Sequence, residues 1–335
     1  MTPMRFGVVG CGRIGRMHAE LLHRRVPGVS VAAVQDAVPE AAGAVANELS
    51  VPAVDTIDDV LALGVDAVAI CTSTDTHVEL VTAAASAGVA IFCEKPISLD
   101  LAQVDAALAA VDGAGVMLHV GFNRRFDPAH RSVRDAVAAG ELGRLNVVRI
   151  TSRDPAPPPI AYVERSGGLF LDMTIHDFDM ARFVTGSEVV EVFARGDVRI
   201  DEAIGAAGDI DTAVVVLRHV DGCITVIDNS RQCAYGYDQR VEAFGTLGAA
   251  VSGNPAGHSG ARLDASGVHR PPLPHFFLDR YIPSYLEQWR AFVAAVAERG
   301  PAPVSGADGR APLVLGLAAK LSHAEGRPVL VDEIG

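Results

Sequence analysis

The sequence predicts an α/β protein in two parts. A doubly wound parallel sheet occupies residues 1–122, and residues 123–335 form an α+β region on an open, mostly antiparallel sheet. Three observations predict this. Up to residue 121, short apolar runs alternate with Ala-rich helical stretches, the pattern of a parallel sheet covered on both faces. From Leu145 onward the runs lengthen and alternate apolar with polar, as strands with one buried face do. A length of 335 residues suits two domains with ample core.

In chain order, the strand-like runs of the first part are MRFGVVG, VSVAAVQD, DAVAICT, VAIFCE and VMLHVGF. After Asp127-Pro128 a short helix runs to about Gly140. The second part then offers LNVVRITS, EVVEVFARG, DTAVVVLRH, CITVIDNSR and RVEAFGT as strands, with turn signals such as Val220-Asp221-Gly222 between them. Between the first two of these lie a stiff proline loop from Asp154 to Pro159 and a helix spanning GGLFLDMTIHDFDMARFVTG, residues 167–186. The tail supplies two helices, YIPSYLEQWRAFVAAVAER and GRAPLVLGLAAKLSHAEG, and a last short strand in RPVLVDE. Trp289 and Phe292 fall on the apolar face of the first of these and read as core.

Composition excludes several classes. A formal charge of −13 with no offsetting basic run argues against a nucleic-acid surface. The five cysteines are scattered without a CxxC pair, so neither a disulfide framework nor a zinc site is expected, and no metal is assigned. The N-terminus runs straight into a strand, and no apolar run approaches the ~18 residues of a membrane span. A reduced, cytoplasmic protein is expected.

GVVGCGRIG sets Gly10, Gly12 and Gly15 as GxGxxG between a predicted strand and a predicted helix. Glycines there permit a tight turn, close approach of backbone to a pyrophosphate, and helix–strand packing, the Rossmann arrangement for a dinucleotide. Asp36 ends the second strand 21 residues after the last glycine, where a carboxylate accepts from the adenosine ribose hydroxyls. Ala37-Val38 follow, with no adjacent Arg for a 2′-phosphate, so NAD is favoured over NADP. Arg13 and Ile14 share the turn. Thr72, Ser73 and Thr74 stand at the carboxyl end of the third strand, where such sheets bind ligands, with His77 opening the next helix.

The stretch 167–186 poses the chemical question. Asp172, His176 and Asp179 stand at i, i+4 and i+7, which a continuous helix would place on one stripe among Met173, Met180, Ile175 and Leu171. Polar groups half-buried on such a stripe need partners. A self-satisfied buried pair of Asp172 with His176 is about as favoured by the residues alone as catalysis is. A structural role is preferred for Asp179.

The strand VAIFCE ends in Glu94-Lys95-Pro96. With the Gly-rich opening and DMTIHDFDMARF, this resembles the glucose–fructose oxidoreductase/inositol dehydrogenase family over essentially the whole chain. As a set, GFNRRFDPAH, SRDPAPPP, GGLFLDMTIHDFDMARF and YGYDQRVEAFG look most like its inositol 2-dehydrogenases. The resemblance implies that Lys95, Asp172 and His176 form a catalytic triad at the nicotinamide, with Glu94 at the cofactor and a cis Lys95–Pro96 peptide. It further implies a homotetramer, paired through the open face of the second sheet.

The implied reaction is NAD-dependent oxidation of an inositol ring hydroxyl, first of all myo-inositol to 2-keto-myo-inositol. Another inositol isomer (scyllo- or D-chiro-) or a cyclic aldose such as glucose or xylose would use the same triad. The residue types suit the chemistry. His176, of ordinary pKa ~6.5, serves as general base; Asp172 orients it or holds a neighbouring hydroxyl; Lys95 stabilises developing alkoxide charge. Asn123, Asp154 and Tyr235 are the candidate polyol contacts, and Arg124 and Arg125 read at least as well as an interdomain salt-bridge cluster. Where some inositol dehydrogenases carry His and Asn, this chain has Ser152-Arg153-Asp154-Pro155. A dinucleotide-sensing protein without catalysis is the rival of another class; it would be expected to lack one of the three triad residues, and all are present.

Overall fold

The first part alternates strand and helix as expected: β1 (Met4–Val9), α1 (Arg13–Arg25), β2 (Val29–Gln35), α2 (Pro39–Leu49), β3 (Ala53–Val54), α3 (Ile57–Ala62), β4 (Ala67–Ile70), α4 (His77–Ser86), β5 (Ala90–Cys93), α5 (Leu101–Ala114) and β6 (Leu118–Val120). The structure, a computed structural model, describes residues 3–335. The six strands form one parallel sheet in the order β3-β2-β1-β4-β5-β6. The order reverses between β1 and β4, and ligands of such sheets bind at the carboxyl ends there.

The second part begins with α6 (Pro128–Ala138), whose first turn Asp127 caps by accepting from the N–H groups of Ala129 and His130. There follow β7 (Leu145–Arg153), α7 (Ile160–Ser166), α8 (Leu169–Asp172), α9 (Ile175–Thr185), β8 (Val189–Asp197), α10 (Glu202–Ala206), β9 (Thr212–His219), β10 (Ile224–Ser230), β11 (Asp238–Gly245) and β12 (Ala249–Ser252). A small hairpin, β13 (Arg262–Asp264) with β14 (Gly267–His269), precedes α11 (Phe277–Glu298), α12 (Gly306–Glu325) and β15 (Val329–Leu330). The large sheet runs β12-β11-β7-β10-β9-β8-β15, and β7 with β10 is its parallel pair. One face carries the core: Val148, Ile150, Val192, Val215, Leu217, Ile227 and Val241 from the strands meet Phe178, Met180 and Val184 of α9 and Leu315 and Ala319 of α12.

The chain divides into two compact units, one running to Asn123 and including Tyr285–Ala311, the other holding Arg124–Ser284 and Pro312–Gly335. The contiguous division at residue 122 thus does not describe where 285–311 packs. Trp289 and Phe292 explain it: both are fully buried, with Trp289 ring centroids 4.3 Å from Phe92 and 5.8 Å from Phe6. The second half of α11 is therefore core of the nucleotide-type sheet. Among the described residues, no helix is long and apolar enough to cross a membrane.

Candidate active site

The glycine turn is built as its spacing requires. Gly10 has φ +94°, and a Cβ there would lie 2.6 Å from the carbonyl of Cys71; one on Gly15 would lie 1.9 Å from the Gly10 oxygen. Gly12 is different: a Cβ on it would meet nothing within 4 Å. Two glycines therefore close the turn against β4, and the third leaves open space at the start of α1, which no side chain caps. Uncapped N–H groups facing open space at a helix start suit a pyrophosphate. Asp36, just past β2, accepts from Cys11 N–H (2.6 Å) and Val38 N–H (2.8 Å). Each oxygen keeps a lone pair for a ribose hydroxyl. The residues fit NAD.

Thr72 and its neighbours lie past β4, where the Thr76 hydroxyl donates to Thr72 Oγ1 (2.7 Å). His77 is buried, with ring nitrogens 2.8 Å from the Pro96 carbonyl and 3.1 Å from that of Thr72. Burial lowers its pKa. It ties together the two loops at the carboxyl ends of β4 and β5. Lys95 is half-buried and its peptide to Pro96 is cis. Glu94 accepts from Lys95 N–H (3.1 Å) through one oxygen and meets His18 Nε2 (2.8 Å) through the other. The Trp289 indole donates to His18 Nδ1 (3.0 Å), so Nε2 carries the proton that goes to Glu94. His18 did not stand out in the sequence, and Trp289 read only as core, because their partners are far away along the chain.

In the second unit, the single helix expected over 167–186 is two. α8 ends at Asp172, and Thr174 N–H reaches back five residues to the Leu169 carbonyl (3.0 Å), a widened turn of the kind often found at functional sites. The Thr174 hydroxyl donates to Asn229 Oδ1 (2.6 Å), which holds the break open. Asp172, His176 and Asp179 consequently do not share a stripe. Asp172 and His176 are half-buried on either side of the break, while Asp179 is buried and closed by Arg125 at 2.6–3.1 Å. The structural role preferred for Asp179 is the one it has here.

Asp172 gains its partners from distant segments. Tyr162 of α7 donates its hydroxyl to Oδ1 (2.8 Å), and buried Arg231, just past β10, reaches Oδ2 (3.4 Å). Asp154 lies beyond the end of β7, beside Arg231, since Arg153 and Ser230 are register partners. Its carboxyl is raised to about 6, chiefly by burial; Arg231 is the main charge opposing the rise and Asp172 adds to it. Asp177, passed over in the sequence, is fully buried and accepts from Arg124 (2.7 Å), Ser152 (2.6 Å) and Asn229 (2.8 Å). Arg124 and Arg125 do form salt bridges, with Asp177 and Asp179, but all four residues belong to the second unit, so the cluster is not the interdomain one expected. Asn123 is buried. Tyr235 is exposed, its hydroxyl between Arg153 (2.8 Å) and Asp238 (2.8 Å).

Arg231, Tyr162 and Asp209, whose Oδ1 accepts from Leu169 N–H at the start of α8 (3.0 Å), are residues around Asp172 that sequence reading missed. No periodicity marks them: each sits in a loop or short helix and meets Asp172 or its helix only through the fold.

Comparison with known proteins places the chain in a family. Residues 4–122 match an oxidoreductase family with an NAD-binding Rossmann fold, and residues 130–251 match the GFO/IDH/MocA C-terminal domain. The chain is 48% identical to a myo-inositol 2-dehydrogenase of Thermotoga maritima, covering 99% of both, and 47% identical to an inositol 2-dehydrogenase of Rhizobium meliloti, covering 98% of this chain and 99% of the other. It also superposes on a scyllo-inositol dehydrogenase from Lactobacillus casei, solved with NAD(H) and scyllo-inositol, with a TM-score of 0.92 at 28% identity over 98% of this chain and 99% of the other. NAD is the cofactor. Matched in both halves and along nearly its whole length, the chain belongs to the GFO/IDH/MocA family of oxidoreductases.

Proposed function

We propose that this protein oxidises a ring hydroxyl of inositol with NAD, myo-inositol to 2-keto-myo-inositol being the favoured reaction. The observation that carries the reading is the 48% identity to a myo-inositol 2-dehydrogenase across 99% of both chains. Lys95, Asp172 and His176 are all present, which supports catalysis over dinucleotide sensing. Bound NAD supplies the acceptor for the hydride that leaves the ring carbon. His176 takes the proton of the reacting hydroxyl at its imidazole, Lys95 donates to the same oxygen as it becomes a carbonyl, and Asp172 orients the imidazole or holds the adjacent hydroxyl.

Asn123 and Asp154 are proposed to contact the other ring hydroxyls, with Tyr235 as a contact through its exposed ring. At the cofactor, Gly10, Gly12, Arg13, Ile14 and Gly15 take the pyrophosphate, Asp36 the adenosine ribose, and Thr72, Ser73, Thr74, His77 and Glu94 the nicotinamide side. Five buried free thiols support work in a reducing cytoplasm. A homotetramer is proposed on the family resemblance.

Absorbance of reduced nicotinamide with myo-, scyllo- and D-chiro-inositol, glucose and xylose tests the reading. Myo-inositol with NAD should give the highest kcat/KM, and His176→Ala should lower kcat by ~100-fold or more without weakening NAD. A different preferred ring would redraw the polyol contacts. An unchanged rate in His176→Ala would remove His176 from the mechanism.

A further inference from the structure

Arg231 is the most deeply buried arginine among the described residues. It is 1% exposed, and its root is fixed: its N–H bonds the Asp211 carbonyl (2.8 Å), and the buried Asp211 carboxylate takes the N–H groups of Arg199, Ile200 and Asp201 at 2.8–3.1 Å. Its head is not closed in the same way. Nη1 stands 3.4 Å from Asp172 Oδ2, Nη2 stands 3.5 Å from Asp209 Oδ2, and the buried Nε–H has no hydrogen-bond partner among the described residues. Arg125, by contrast, closes on Asp179 through two nitrogens at 2.6–3.1 Å and is a finished pair. Arg231 is one charge shared, with slack, among carboxylates that outnumber it.

The carboxylates it spans both act on one short element. Asp209 Oδ1 accepts from Leu169 N–H (3.0 Å), the first residue of α8, and Asp172 is the last. Arg231 therefore ties both ends of the turn that carries Asp172. Asp154 is the third carboxyl in the group, and Arg231 is the main charge resisting its neutralisation. Without that charge, Asp154 would face Asp172 and Asp177 with Arg124 already engaged by Asp177, and the hydroxyls of Tyr162 and Tyr237 close by. Neighbouring like-charged carboxyls push one another's pKa up.

We propose that Arg231 is the positioning residue of this site: it sets Asp172 on its turn and keeps Asp172 and Asp154 together as acceptors for neighbouring hydroxyls of the ring, so that a vicinal polyol is preferred to a simple secondary alcohol. The proposal rests on the inositol-oxidation reading. Long contacts that tighten when substrate arrives are the expected state of such a site before binding.

The test compares Arg231→Met and Arg231→Lys with wild type, using myo-inositol and cyclohexanol as substrates across pH. Arg231→Met should lose roughly 100-fold in kcat/KM for myo-inositol and much less for cyclohexanol, with its acid limb moved up by about one pH unit. Arg231→Lys should regain part of the rate and move the acid limb less than Arg231→Met does, and NAD binding should stay within about threefold of wild type in both. A folded Arg231→Met with unchanged kcat/KM and acid limb overturns the proposal. So does equal loss on both substrates. If Arg231→Met does not fold, Arg231→Lys decides, because full activity there removes the positioning role.

A readout without turnover separates this from the underlying reading. Carbon-13 carboxyl titration of Asp154, assigned with Asp154→Asn, should start from about 6 in wild type and rise in Arg231→Met or, less, in Arg231→Lys. A midpoint unmoved in both overturns the role of Arg231 whatever the substrate. A moved midpoint in a protein that oxidises no polyol overturns the inositol reading instead.

Discussion

Asp154 and Asp177 are two carboxyls of one neighbourhood, both raised by burial, and they differ in what answers that burial. Asp177 receives three direct hydrogen bonds, from Arg124, Ser152 and Asn229. Asp154 is opposed mainly by the charge of Arg231. A carboxyl held at about 6 binds a proton in the folded state that the unfolded chain, at an ordinary ~3.9, has already released. Its stability contribution is then greatest below about pH 4 and is lost as pH rises through about 6. Asp154→Asn should accordingly stabilise the fold at pH 7.5, by roughly 1–3 kcal/mol, and change little at pH 4. Thermal unfolding at the two pH values checks this, and a lower Tm at pH 7.5 would contradict it. If Asp154 also contacts the ring, the more stable variant should be the poorer enzyme, the usual trade at a functional group.

At the scale of elements, the break between α8 and α9 decides which residues meet. Gly168, which precedes α8, has φ +84°, and a Cβ on it would stand 2.6 Å from Asp209 Oδ1. Gly186, which ends α9, has φ +63° with nothing within 4 Å of a Cβ. Alanine at Gly186, in the left-handed region, meets backbone strain of about 1–2 kcal/mol; at Gly168, whose extended ψ with positive φ only glycine adopts readily, the strain is larger and alanine must also push Asp209 off the Leu169 N–H. Gly168→Ala should therefore lower Tm more than Gly186→Ala and should alone reduce kcat/KM; equal effects would show that the Asp209 contact does not matter. This element also marks where sequence stopped being informative. The glycine turn, Asp36 and the alternating strands were legible because each is a local pattern: a spacing, a strand end, a period of two. The single helix over 167–186 was not the right reading, because the turn widens at Thr174, whose hydroxyl bonds Asn229, 55 residues away. Arg231 was invisible for the same reason, and so was the division of α11, since an apolar stripe through Trp289 announces burial without naming the sheet that buries it.

For the molecule as a whole, the open face of the second sheet carries the clearest consequence. Cross-strand neighbours form two rows on that face: Phe244, Val147, Ile224, Arg218 and Glu191 in one, and Glu242, Arg149, Val226, Val216 and Phe193 in the next. Apolar residues fill the middle, and an Arg–Glu ion pair stands at opposite corners, Arg218 with Glu191 and Arg149 with Glu242. Phe244, Ile224 and Val216 are 46%, 42% and 36% exposed, although the strands bury their other side fully. An apolar centre with a charged rim is the composition of a protein interface rather than of a free surface. A net charge of −13 disfavours indiscriminate association, so a specific, symmetric pairing of this face with itself is the arrangement that suits both facts. The proposed tetramer should therefore depend on this face. Sedimentation of the wild type should give about four times the 35.0 kDa chain mass, and Val216→Lys with Ile224→Lys should give a smaller species of unchanged far-ultraviolet circular dichroism. Both side chains point away from the core, so the pair of lysines leaves the fold's own packing intact. A wild type that sediments as a single chain would remove the tetramer, and a double variant still tetrameric would move its interface elsewhere.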